Sequence, residues 1–160
     1  MMEKLDSVDK VIWVSPFLGV LDVISTLYVE SLGYSLSQYE AGPLAKIFVN
    51  AGLTYLYIPV YLLTLSGFAY ALWCIKNRKL DPSRTFDKIL FLLLVGTACY
   101  VYMRITVAFI GNFLLPYRSS GRISWFSINL LIYLSTAFTL SLYLWRDVLV
   151  WVKSDDYKKR

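Results

Sequence analysis

The sequence predicts an all-α integral membrane protein: a four-transmembrane-helix antiparallel bundle with both termini in the cytoplasm. Three observations carry that expectation. Of 160 residues, 58% are hydrophobic and 17% charged, whereas soluble domains hold roughly 45–50% apolar residues. Four apolar stretches, 11–32, 44–75, 89–117 and 123–152, each exceed the ~18 residues that mark a spanning helix. The cations are also unevenly placed. Segments 1–10, 76–88 and 146–160 hold two, five and five Lys or Arg, while the other two connections hold only Lys46, Arg118 and Arg122. That bias puts the termini and the middle loop on the cytoplasmic side of the cell membrane.

The first stretch, 11–32, comes after MMEKLDSVDK, which mixes three acids with two lysines. No small-residue cleavage pattern accompanies it, so it is expected to be a retained helix and not a signal peptide. The second, 44–75, is too long for one straight crossing. Its 32 residues would run about 48 Å at 1.5 Å each, against a hydrocarbon core of roughly 30 Å. In VNAGLTYLYIPV, Asn50 and Gly52 are suited to interrupt it, which leaves 44–51 at the outer interface, and Pro59 is expected to kink the remainder of the stretch. The third helix, 83–117, is expected to open at LDPSRTFDK with Asp81 as N-cap and Pro82 in the first helical position. The fourth runs 123–152 and leads into a solvated tail, SDDYKKR. Trp13, Trp73, Trp145 and Trp151 fall near the inner ends and Trp125 near an outer end, an aromatic belt. With short connections and no repeat, residues 1–160 read as a single membrane domain.

Several chemistries are excluded. The chain has no histidine, hence neither the commonest general base nor the commonest transition-metal ligand. Cys74 and Cys99 lie inside apolar segments without CxxC spacing. The net charge of +5 is explained by membrane orientation, so no nucleic-acid face is expected. An intramembrane aspartyl protease needs two deep aspartates, and only Asp22 is deep. Asp22, Glu30 and Glu40 are too scattered for a metal site. Neither cofactor nor catalysis is expected.

The polar residues within the apolar stretches are the informative ones, because a carboxylate at the bilayer centre costs several kcal/mol and must face protein or water. On the first helix Ser15, Gly19, Asp22, Thr26, Glu30 and Gly33 keep helical spacing and form one stripe. On the third, Gly96, Tyr100, Arg104, Val107 and Gly111 form another. Arg104 lies about 22 Å along its helix from Ile89, and Asp22 about 16 Å from Val11. The expectation is an intramembrane Asp22–Arg104 pair across a first-to-third helix interface. Glu30 and Asn112 fall further out, and Asn129 opens a polar face on the fourth helix. Ser15, Thr26, Glu30, Asn112 and Asn129 together outline a candidate polar path.

The stretch LDVISTLYVESLGYSLSQYEAGPLAKIF resembles the first hairpin of a family of small uncharacterised prokaryotic multi-pass membrane proteins. Asp22, Thr26, Gly33, Glu40, Pro43 and Leu44 match that family's Leu-Asp-x3-Thr and Glu-x-Asn-Pro-Leu pattern, with Gly42 in place of its Asn. The resemblance covers about a quarter of the chain and implies membrane location without an activity. The function expected is non-catalytic helix association, as a homo-oligomer or as a small subunit of a membrane complex, with the lipid bilayer as the surrounding partner. The alternative is a small ion- or proton-coupled transporter or channel that uses Asp22, Thr26 and Glu30.

Overall fold

A computed structural model describes residues 6–34, 43–78, 80–121 and 124–158. Among these residues there are five helices and no strand: α1 (Asp6–Ser31), α2 (Pro43–Asn50), α3 (Thr54–Lys76), α4 (Thr85–Ser119) and α5 (Trp125–Lys158). All but α2 are long and apolar enough to cross a membrane. An all-helical chain with four such helices fits a multi-pass membrane protein.

Two glycines in the left-handed region end the first two helices. After α1, the Gly33 N–H bonds the Glu30 carbonyl at 2.9 Å and the Tyr34 N–H bonds the Val29 carbonyl at 3.3 Å, with Gly33 at φ +88. After α2 the pattern repeats: Gly52, at φ +71, bonds Val49 at 3.0 Å and Leu53 bonds Phe48 at 2.8 Å. These are Schellman closures, in which a residue without Cβ takes the left-handed position and the last carbonyls find donors. The 44–75 stretch is therefore divided at residues 51–53, and α3 continues through Pro59 as one helix. Pro16 and Pro116 likewise lie inside α1 and α4. Each removes one ladder donor, and for Pro116 the carbonyl that loses its i+4 partner is that of Asn112.

Helix α4 opens at Thr85, two residues after the expected start. The Asp81 carboxylate takes the Ser83 N–H at 3.0 Å and the Asp81 carbonyl takes the Arg84 N–H at 3.0 Å, which makes a separate turn ahead of the helix. Asp87, in the helix's first turn, ties the turn down by accepting the Asp81 N–H at 2.9 Å. Helix α1 begins earlier than its apolar stretch because its first turn is docked. Asp147 of α5 accepts both the Ser7 N–H and the Ser7 hydroxyl, an anion placed on the orphan donors of a helix N-terminus.

Helices α1 and α4 form the most extensive contact; α3 packs chiefly on α1 and α5 chiefly on α4, while α3 and α5 form no packed interface with each other among the described residues. In section the four are a rhombus whose short diagonal is α1–α4. The first turns of α1 meet the last turns of α3, through Asp9–Lys76 and Trp13–Trp73, and the second half of α5 through Ser7–Asp147. At the other end Tyr34 meets Ser119. The apolar core concentrates at the former end. Val8, Ile12, Leu72, Phe91, Leu94, Leu144 and Trp151 are buried together, and the Phe91 and Trp151 rings stack with centroids 4.1 Å apart.

Helix α4 changes its buried face along its length. Phe91, Leu94, Val95, Ala98 and Ile105 are buried on one face up to the middle of the helix, Val107, Gly111 and Leu115 on another beyond it. At 100° per residue those sets point roughly 150° apart around the helix.

Candidate functional site

The polar groups in the middle of the spans gather on three helices around Asp22. Along α1 the buried positions are Val8, Val11, Ile12, Ser15, Gly19, Asp22, Ser25 and Val29, spaced by three or four beyond the first turn, so Asp22 falls on the same periodicity that buries the aliphatic residues. Glycine at position 19 lets α3 approach closely: a Cβ there would lie 2.4 Å from Leu65 Cδ1. That approach brings Tyr61 of α3 to the carboxylate. Tyr61 Oη donates to Asp22 Oδ2 at 3.0 Å, and Asn112 Nδ2 of α4 reaches Asp22 Oδ1 at 3.2 Å. Asp22 is 9% exposed.

The same amide lies 2.8 Å from Ser25 Oγ and 2.9 Å from Thr26 Oγ1. Its two N–H donors are thus spread over three oxygens of α1, a bifurcated arrangement. Ser25 is fully buried and turns its own hydroxyl proton back to the Asp22 carbonyl at 2.8 Å. The cluster binds α1 to both neighbours by polar contacts.

Of the residues singled out from the sequence, Asp22, Thr26 and Asn112 come together. Ser15 is buried two turns away and bonds the Val11 carbonyl at 3.1 Å. Glu30 is exposed and outside the cluster. Gly33 terminates α1. Asn129 sits on α5 with its Oδ1 buried and without a hydrogen-bond partner. Pro43 opens α2, and Glu40 lies outside the described residues. Arg104 is exposed and donates to Tyr133 Oη of α5 at 3.1 Å. The stripe expected to face α1 is thus split. Gly96, Tyr100 and Arg104 lie on the outside, whereas Val107 and Gly111 are buried, because α4 changes its buried face between them.

Two members of the cluster escaped the sequence reading. Ser25 was legible, lying three residues after Asp22 and ten after Ser15. Tyr61 was not, since nothing distinguishes it from the other tyrosines of a helix rich in them. No group of three His, Cys, Asp or Glu side chains among the described residues has the proximity to hold a metal ion. The cluster gathers the Asp22 carboxylate, the Ser25 and Thr26 hydroxyls, the Tyr61 phenol and the Asn112 amide across three helices. No protein-family model, no curated protein and no solved structure matches the chain, so the first hairpin's resemblance assigns nothing further.

Proposed function

We propose that this protein is an up-and-down four-helix membrane protein, with both termini in the cytoplasm, that acts by helix association as a homo-oligomer or as a small subunit of a membrane complex. The contacts between opposite ends of successive helices support the up-and-down course, and the distribution of Lys and Arg supports the orientation. The single observation that carries the association reading is the closure of the polar cluster. Asp22 is buried, and both of its oxygens accept donors from neighbouring helices. A transport site would need that carboxylate reachable by water. In this reading the cluster is a polar clamp, and an Asp22–Arg104 attraction between α1 and α4 adds to it.

The surface left over suits association. Only 11% of the α3 span is buried by the rest of the chain, against 33% for α1, so the outer helices offer broad faces to lipid or to other helices. The test is the mass of the protein extracted with its native lipids. An assembly larger than the 18.4 kDa chain is expected, and monomer alone would refute the reading. Proteoliposomes decide against transport in parallel. Proton or Na⁺ flux carried by wild type and lost in Asp22→Asn would replace association by transport.

A further inference from the structure

The end of the molecule that holds the apolar core also carries exposed cations. The carboxylates described there are engaged inside the chain: Asp9 with Lys76, Asp147 with Ser7, Asp87 with the Asp81 N–H, and Asp81 with the Ser83 N–H. Lys10 and Arg78 are exposed, and neither makes an ion pair with a described residue. Both belong to the seam between α1 and α3. Lys10 follows Asp9 on α1, and Arg78 comes two residues after Lys76, just past the end of α3. The backbone holds Arg78 in that place: its N–H bonds the Ile75 carbonyl at 3.1 Å, and its carbonyl accepts the N–H of the buried Leu80 at 2.7 Å. A row of rings crosses the same seam nearer the middle of the spans. Trp13 lies three residues along α1 from Lys10, about 4.5 Å, with its ring centroid 6.3 Å from that of Trp73, and Trp73 stacks on Tyr70 at 6.0 Å. All three rings are exposed. Indoles and phenols of this kind settle at the headgroup boundary, where one edge is wet and the body apolar.

We infer that this seam seats an anionic phospholipid, with its phosphodiester on Lys10 and Arg78 and its glycerol and upper acyl segments against Trp13, Trp73 and Tyr70. Two cations above a row of rings match the order of a lipid's own parts, charge in the headgroup layer and hydrocarbon beneath it. Guanidinium binds phosphate oxygens through two parallel charge-assisted hydrogen bonds, and ammonium adds a point charge. Charge complementarity selects the lipid. A zwitterionic headgroup brings its own cation to the site, whereas an anionic one leaves the full attraction, and basic pockets between spanning helices favour such headgroups. The inference goes beyond helix association and does not depend on it, since a monomer in a bilayer has the same seam.

The test titrates the full chain, in a neutral detergent, with phosphatidylglycerol or with phosphatidylcholine of the same acyl chains, and counts bound lipids by native mass spectrometry. Each cation beside an anionic surface contributes roughly a fivefold preference, so wild type is expected to bind its first phosphatidylglycerol at least tenfold more tightly than phosphatidylcholine. The preference should be kept in Lys10→Arg/Arg78→Lys and lost in Lys10→Gln/Arg78→Gln, exposed changes whose helix content circular dichroism checks. A charge-matched control, Arg146→Gln/Lys153→Gln, removes two exposed cations of α5 and should keep the preference. Equal binding of the two lipids by wild type overturns the inference, and so does an undiminished preference in Lys10→Gln/Arg78→Gln. An equal loss in the α5 control also overturns it, because the attraction would then belong to the charge of the whole end and not to the seam.

Discussion

Two asparagines in the spans should respond in opposite directions to the same substitution. Asn112 gives two N–H donors to oxygens of α1 at 2.8–3.2 Å. Interhelical polar bonds in membranes contribute on average about 0.6 and at most about 1.7 kcal/mol each. Asn112→Leu, which keeps the approximate volume and removes both donors, is therefore expected to destabilise the fold by roughly 1–3.5 kcal/mol, about 5- to 300-fold in the folded ratio. Asn129 instead buries an Oδ1 that accepts nothing. An unsatisfied buried acceptor carries a penalty of about 1–3 kcal/mol, so Asn129→Leu should be neutral or stabilising. The assay is reversible unfolding in mixed lipid–detergent micelles titrated with SDS, tracked by tryptophan fluorescence and far-UV circular dichroism. An Asn112→Leu protein as stable as wild type would refute the claim that this amide ties α4 to α1. Equal destabilisation by both changes would refute the distinction between a satisfied and an unsatisfied asparagine.

Other perturbations test the packing around the cluster. Lys76 is nearly buried and bonded to Asp9; Asp9→Leu removes that partner and should destabilise by at most about 3 kcal/mol in the same titration, the low end for a broken buried pair because Asp9 is partly exposed. Gly19→Ala should be close to neutral, since Leu65 Cδ1 is the end of a flexible side chain and alanine favours the helix by roughly 1 kcal/mol. Gly19→Ile should separate α1 from α3, read as weakened energy transfer between labels on the two helices. Phe91→Ala removes a fully buried ring stacked on Trp151 and should destabilise by about 3–5 kcal/mol, with a shift in Trp151 emission; an unchanged midpoint would exclude that stack from the core.

The all-helical class and the four long apolar helices were readable from composition and run length, because a chain that crosses hydrocarbon as a helix needs about 20 consecutive apolar residues, a signal that barrel strands do not give. The break between α2 and α3 was readable too, since Gly52 is a residue suited to the left-handed position a helix stop requires. Asp22, Thr26 and Asn112 could be picked out singly as polar choices in oil. Their convergence could not, and neither could the part played by Tyr61. In a membrane the lipid-facing and protein-facing sides of a helix are both apolar, so periodicity loses the contrast that orients a helix in water. For α4 the difficulty was greater. One stripe was extended over its whole length, whereas its first half packs into the terminal core and its second half turns a different face to α1. Which polar side chain meets which depends on that helix crossing, a property of the assembled helices that no single stretch of chain contains.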